Sequence, residues 1–411
     1  MIIEGEQNFT FFENWTFSAE YNKSDNVTVE DRNQFIQPWW KQIIWTFLFS
    51  GMVVVSTGGN LIVIWIVLAN KRMRTVTNYF LVNLSIADTM VSTLNVTFNY
   101  VYMLSSDWPF GNLYCKINQF VAVLSICASV FTLMAISVDR YMAIIHPLRP
   151  RMGRRTTLCI ASGIWVFGSA LSFPNLVFST TFVQEFSNGD KRVICYSEWP
   201  DGATNLSKQE YLYNVFLMVL TYFLPLCSMS FTYALVGLEL WGSQSIGECT
   251  QRQLENIKSK RRVVKMMIVV VCIFAVCWLP FHIYFIITSH IPDLTESPYV
   301  QDIFLGIYWL AMSNSMYNPI IYCWLNHRFR RGFKEFFSCC PFVHVVPNGL
   351  TRREAVTSRY NSCSESPEAH YRIVRNGTLN STQATGSVMS SLEEPQNRAR
   401  KRWRQSDRGA S

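Results

Sequence analysis

Seven stretches of this 411-residue chain run for 22 residues or more almost without a charge. They are Ile43 to Ala69, Val76 to Ser106 (with only Asp88 inside it), Ile117 to Val138, Thr156 to Gln184, Tyr211 to Leu238, Met266 to Pro292 and Ile303 to Asn326. About 20 apolar residues in helical form cross a bilayer. A spanning segment must satisfy its backbone hydrogen bonds internally, and runs this long are too long for barrel strands, so they predict helices. The expected fold is an all-α membrane protein, a seven-transmembrane helix bundle. Composition agrees: charged residues make up 16% of the chain, against about 25% in soluble domains. A disordered or fibrous chain and a soluble multidomain enzyme are both excluded.

Orientation follows from the basic residues of the connections. The first carries Lys71, Arg72 and Arg74, the third Arg149, Arg151, Arg154 and Arg155, and the fifth Lys258, Lys260, Arg261, Arg262 and Lys265. These are expected on the cytoplasmic side, which puts the N-terminus outside and the tail inside. Glycosylation triplets at Asn8, Asn14, Asn22 and Asn26, and at Asn205 in the fourth connection, fall on the outer side. Those at Asn83, Asn95, Asn376 and Asn380 fall in span two or the tail and read as chance. No cleavable signal peptide is visible, so span one is expected to start insertion. Of 12 cysteines, only Cys115 and Cys195 face outside on this topology. Disulfides persist in oxidising compartments, so these two are the expected bridge.

The chain therefore divides into an extracellular glycosylated segment (1–38), the bundle (39–326), an amphipathic membrane-surface helix (327–340) and a disordered cytoplasmic tail (341–411). In the third part Phe329, Phe333, Phe336 and Phe337 recur at helical spacing, with Arg328, Arg330, Arg331 and Lys334 on the other face. That pattern suits a helix lying on the inner leaflet, a contact with membrane lipid. Cys339 and Cys340 at its end are candidates for palmitoylation, with unmodified thiols as the alternative. The net charge of +8 is spread over loops and tail, and no nucleic-acid partner is expected.

Some residues do not belong in a bilayer. Asp88 is the one formal charge deep in any span, and an intramembrane carboxylate marks a functional site by default. A purely structural, hydrogen-bonded Asp is the alternative. Asn60, Ser129, Asn314, Ser315 and Asn318 could gather around Asp88 and suit a small hard cation such as sodium. No obligatory cofactor is expected. Pro174, Pro225, Pro280 and Pro319 each remove a backbone hydrogen bond and can kink a helix. The triplet Asp139-Arg140-Tyr141 sits at the inner end of span three.

Read in order, Asn60, Asp88, Asp139-Arg140-Tyr141, Trp165, Pro225, Cys277-Trp278-Leu279-Pro280 and Asn318-Pro319-Ile320-Ile321-Tyr322 occur one set per span. This resembles the rhodopsin-type (class A) G-protein-coupled receptors over about residues 40 to 340. The stretches "RMRTVTNYFLVNLSIAD", "DRYMAIIHPLRPRM" and "SKRRVVKMMIVVVCIFAVCWLPFH" resemble tachykinin receptors. "PWWKQ", "SEWPDG" and "LWGSQSIGECTQRQ" look more like the insect tachykinin-related peptide receptors. The resemblance implies a plasma-membrane receptor for an amidated neuropeptide. It also implies a heterotrimeric G protein, through phospholipase C and calcium, with arrestin and receptor kinases as further partners.

Carried over by position, the ligand pocket would include Asn95, Asn99 and Tyr102 on span two, and Asn118 and Gln119 on span three. Asn175 would come from span four, Trp199 from the long loop and Asn214 from span five. His282 and Phe285 would come from span six, and Phe304 and Tyr308 from span seven. Amides and a phenol can bind a terminal amide while aromatics pack apolar side chains. The resemblance makes Asp139, Arg140, Tyr233, Phe274, Trp278, Asn318 and Tyr322 the activation switch, and Asp88, Ser129, Asn314 and Asn318 a sodium site. Vertebrate members carry His at the positions of Asn118 and Asn214. Many class A receptors carry an acid facing Arg140 from span six, where this chain has Lys260, so Asp139 is the expected partner of Arg140. Insect-type ligands are expected to end in Arg-amide, with Glu198, Asp201, Glu296 or Asp302 meeting the charge.

Other classes fit worse. A retinal pigment needs a Lys in span seven, and an amine receptor needs a carboxylate on span three, where Ala122 stands. A transporter would show inverted repeats. No catalytic motif is present, so an enzyme is not expected. A related amidated neuropeptide such as natalisin is the alternative ligand.

Overall fold

The computed structural model describes residues 37–150, 152–185, 191–203, 207–242, 251–291 and 299–339. The four N-terminal glycosylation triplets, Asn205, Glu296, Cys340 and the whole of the expected tail lie outside these residues. Among those described, seven long helices follow one another. They are α1 (Trp39–Ala69), α2 (Val76–Met90, a π-helical turn at Val91–Val96, then Thr97–Ser105) and α3 (Gly111–Ile145). Then come α4 (Arg154–Phe178), α5 (Lys208–Met218, a π-helical turn at Val219–Phe223, then Leu224–Gly242), α6 (Gln251–His290) and α7 (Val300–Leu325). Helix α8 (His327–Phe336) follows α7.

By length and apolar composition alone, five of these are long enough to span a membrane. The other two are α2 and α7. In α2 the π-helical turn leaves α-helical pieces of 15 and 9 residues. In α7 the polar residues Ser313, Ser315 and Asn318 are buried inside the bundle. The outward faces carry Val166, Phe231 and Leu238, each exposed by 65% or more. So much bare apolar surface is stable against lipid, not water.

The interior has two apolar halves. The inner half packs Val63, Ile66, Phe80, Leu84, Met229, Met267 and Tyr322. The outer half packs Phe49, Val96, Val130, Phe274, Trp278, Tyr308 and Met312. Close approaches set the spacing of α1. A β-carbon on Gly59 would lie 2.7 Å from the Pro319 ring, so only glycine lets α7 come this near.

The run Thr156 to Gln184 is not helical throughout. Helix α4 stops at Phe178, and strand β1 (Ser179–Glu185) follows. Its Thr-Thr-Phe-Val sequence favours the extended chain. It pairs antiparallel with β2 (Lys191–Trp199), Thr181 opposite Cys195, and β2 pairs with β3 (Gly202–Ala203). The Cys115–Cys195 disulfide fastens β2 to the outer end of α3. The turn before α3 adds to the anchorage. Trp108 N–H donates to the Val193 carbonyl at 2.9 Å, and Val193 N–H donates to Asp107 Oδ1 at 2.8 Å. The buried Arg192 donates to the Ser106 carbonyl, and burial lowers its pKa from the ordinary value. Ser106 takes a left-handed conformation, φ 53°, to make this turn.

Helix α8 sits on the inner end of α1. Phe329 is fully buried beside Tyr322, at 5.7 Å between ring centroids, and Phe336 meets the edge of Trp65 at 5.4 Å. The Asn326 side chain accepts from Arg328 N–H at 3.1 Å and so caps the helix. Cys339 closes the short 3-10 turn that follows. The seat depends on Gly332, where a β-carbon would lie 2.7–2.8 Å from three carbons of Ile66. Gly332→Val should therefore destabilise the protein by about 1–3 kcal/mol, the usual cost of overpacking. Thermal melting in detergent should show it, and Ile66→Ala in the same chain should recover part of the loss. An unchanged melting temperature for Gly332→Val would mean α8 does not depend on this contact.

Candidate functional site

A cavity of about 410 Å³ opens between the outer ends of α2 to α7, under the β1–β2 hairpin. That is ample for part of a peptide or a small ligand. Eight residues expected there from sequence line it: Asn95, Asn99, Gln119, Asn175, Asn214, His282, Phe285 and Tyr308. Four others do not, each for a packing reason. Asn118 is fully buried behind the wall. Its amide donates to Asn99 Oδ1 at 2.7 Å, and its own Oδ1 accepts from Asn95 at 3.1 Å. Tyr102 packs edge-on against Trp108, centroids 5.7 Å apart. Trp199 lies between Phe178 and Tyr213, at 4.6 and 5.3 Å. Phe304 lies between Tyr284 and Tyr308, at 5.6 and 6.0 Å.

The wall is a connected polar network. Asn99 donates to the Tyr308 hydroxyl at 3.1 Å, and that hydroxyl donates to Asn95 Oδ1 at 3.2 Å. Across the cavity, Asn175 donates to the Tyr213 hydroxyl at 2.6 Å. Such groups offer paired donors and acceptors to an amide. The floor is apolar: Ile126, Phe274, Trp278 and Met312. Ala122, Val123 and Ile126 continue the face of Gln119 at helical spacing, and Met218 and Thr221 continue that of Asn214. The 3.6-residue period carried that signal. Glu210 and the hairpin residues Tyr196 and Ser197 also line the cavity. No spacing rule points to those two hairpin residues, because the hairpin folds back over the bundle.

Below the floor lies Asp88, buried, on α2. Ser129 donates to its Oδ1 at 3.0 Å and Asn318 to its Oδ2 at 2.7 Å. Asn60 donates to the carbonyls of Ser56 and Ser315 at 2.9 and 3.0 Å, and Ser56 to Ser315 Oγ at 3.0 Å. A cavity of about 20 Å³ beside Asp88 is lined by Ser129, Asn314 and Ser315. One carboxylate, hydroxyl oxygens and room for a water-sized body fit a hard monovalent cation. Among the described residues no group of three His, Cys, Asp or Glu could hold a transition metal.

At the inner end, Arg140 meets Asp139 at 2.5 Å, and Thr77 donates to the same carboxylate oxygen at 2.7 Å. Span six supplies no acid there. Instead, Arg261 of α6 donates to the Leu240 carbonyl at 2.6 and 2.9 Å and stacks over Trp241 at 5.6 Å, joining α6 to the end of α5. Tyr233 and Tyr322 are buried and face a common small cavity with Leu133 and Met267. Trp165 donates to Asn83 at 2.8 Å and Asn83 to Thr132 at 2.7 Å, which ties α4 to α2 and α3.

The chain matches the family model of the 7 transmembrane receptor (rhodopsin family) over residues 59–322. It is 64% identical over 347 residues to the tachykinin-like peptides receptor 99D of Drosophila melanogaster, an alignment covering 84% of this chain and 66% of that receptor. It is 51% identical over 303 residues to the tachykinin-like peptides receptor 86C of the same fly, covering 74% and 60%. It is 45% identical over 325 residues to the human substance-P receptor, covering 79% and 78%. The alignments thus span less than two thirds of the length of each fly receptor. The chain belongs to the rhodopsin family of seven-transmembrane receptors, in its tachykinin-receptor branch.

Proposed function

We propose that this protein is a plasma-membrane receptor for an amidated tachykinin-related peptide and signals through a heterotrimeric G protein to phospholipase C and calcium. The observation that carries the reading is the cavity: an amide- and phenol-lined wall over an aromatic floor that continues into the interior of α6. Identity to receptors named for tachykinin-like peptides, at 64% and 51%, supports the choice of ligand. The N-terminus faces outward and the tail inward, where arrestin and receptor kinases would act. No reacting group is required of this site.

Binding acts as a population shift. A peptide end resting on Trp278 and Phe274 favours the arrangement in which α6 bends at Pro280 and its inner end moves away. Arg140 and Tyr233 then face a G-protein segment. Coupling is reciprocal, so bound G protein raises peptide affinity. Sodium beside Asp88, held by Ser129 with Asn314 and Asn318 nearby, would oppose the bend.

Calcium measurements in cells expressing the chain test the reading. Peptides ending in Arg-amide should respond at nanomolar concentration, and free-acid versions should lose most of that potency, because the wall then meets a charge instead of an amide. Silence to every amidated tachykinin, with surface expression verified, would overturn it. Asp88→Asn should abolish any dependence of agonist affinity on sodium, read by radioligand competition in sodium and in an organic cation; a surviving dependence rules out the site. Asp139→Asn should free Arg140 and raise ligand-independent inositol phosphate several-fold; basal signal at the unaltered level would mean the pair does not restrain the receptor.

A further inference from the structure

Lys258, Lys260, Arg261, Arg262 and Lys265 stand at the inner end of α6. Of these, Arg261 is half-buried and the other four are exposed. Its Nε and a terminal nitrogen both donate to the Leu240 carbonyl, at 2.9 and 2.6 Å, and its guanidinium lies over the Trp241 ring at 5.6 Å. Leu240 belongs to the last turn of α5, which ends at Gly242. The last four carbonyls of a helix have no partner within it. A guanidinium there fills an open acceptor and meets the negative end of the helix.

The face of α6 that carries Arg261 is the face packed on α5. Val264, one turn further on, is fully buried with Val236 and Leu240 of α5, and Tyr141, Ile144 and Ile145 of α3 pack against them. Met229, Tyr233 and Val236, all buried, hold α5 in the bundle. Arg140 pairs with Asp139 of its own helix, and Lys260 stands where an acid of α6 would face it. Arg261 lies 19 residues inward of Pro280, about 28 Å along a helix. A bend of about 10° at Pro280 would carry it about 5 Å, out of hydrogen-bond reach of an α5 that stays in place.

We infer that Arg261 is a positioning residue, a latch that holds the inner end of α6 on α5 in the closed receptor and must release Leu240 before a G-protein segment can enter. The inference rests on the receptor reading above and names its restraint. Arg suits the task, since a planar guanidinium can set two N–H groups on one oxygen while stacking on a ring. The rivals are a purely structural Arg261 and one that only touches the G protein. The three differ in sign. Removing a latch raises signal without ligand and, because coupling is reciprocal, raises peptide affinity. Losing a G-protein contact lowers signal. Losing a structural contact lowers the melting temperature and raises neither.

Arg261→Gln separates them, because Gln keeps a polar side chain but neither the charge nor the fork. At matched surface expression, its ligand-independent inositol phosphate should rise several-fold. The affinity of a tachykinin-type peptide ending in Arg-amide, measured on purified receptor without G protein, should rise in the same variant. Trp241→Ala, which removes only the stacking, should move both readouts the same way by less. Either readout at or below its unaltered value in Arg261→Gln would overturn the inference. Should Arg261→Gln fail to reach the surface, Trp241→Ala decides, and unchanged readouts there would overturn it. Basal signal is read without ligand. An unaltered receptor that no amidated tachykinin activates would therefore overturn the peptide reading and leave the basal comparison to decide the latch.

Discussion

A carboxylate in the middle of a bilayer must be surrounded by donors, and most of this bundle is arranged to surround Asp88. Its two oxygens take Ser129 from α3 and Asn318 from α7. Asn60 and Ser56 then bind α7 to α1 through Ser315. Four helices thus converge on one polar knot, which bare hydrocarbon could not host. Apolar contacts between helices are worth little here, since lipid tails are as apolar as Leu. Hydrogen-bonded polar side chains and close backbone approaches, such as Gly59 on Pro319, therefore fix which helix neighbours which.

The same reasoning explains the asymmetry between the two ends. Outside, the hairpin is pinned by a disulfide, by Asp107 and by Arg192, and it roofs a cavity without filling it. Inside, the space under Arg140 is closed by Tyr233, Tyr322, Met267 and their neighbours. A rigid, open outer end and a closable inner end are what a two-state device requires. A ligand biases only what differs between the states. Trp278 and Phe274 belong to both the cavity floor and the outer core, so they are where a change in occupancy becomes a change in packing.

Much of this was legible in the sequence because the membrane simplifies the code. Charge-free runs gave helices, and Asp88 announced itself by its cost. The polar partners of Asp88 could be named from their spans alone. The π-helical turns at Val91–Val96 and Val219–Phe223 could not, since one extra residue in a turn leaves no mark on composition. Strand β1 hid inside an uncharged run, because charge counting cannot separate a strand over the bundle from a helix within it. In the site, polar type misled where it ignored direction. Asn118 and Asn95 look alike in sequence, yet Asn118 faces its neighbours and holds Asn99 and Asn95 in place.

Glu210 shows the complementary failure. Its place in Ser-x-x-Glu at a helix start gives it a sufficient local explanation, so a sequence reading has no reason to look further. Acids in loops, by contrast, look available. Glu210 nonetheless lines the cavity. Loop acids find partners because loops are near other loops, as Asp302 finds Lys41 and Asp201 finds the start of α5. An acid in the first turn of α5 has its backbone fixed by the helix, and the helix direction decides where the carboxylate stands. Among the described residues that line the cavity none is Lys or Arg, and a carboxylate at its wall contributes a negative field there.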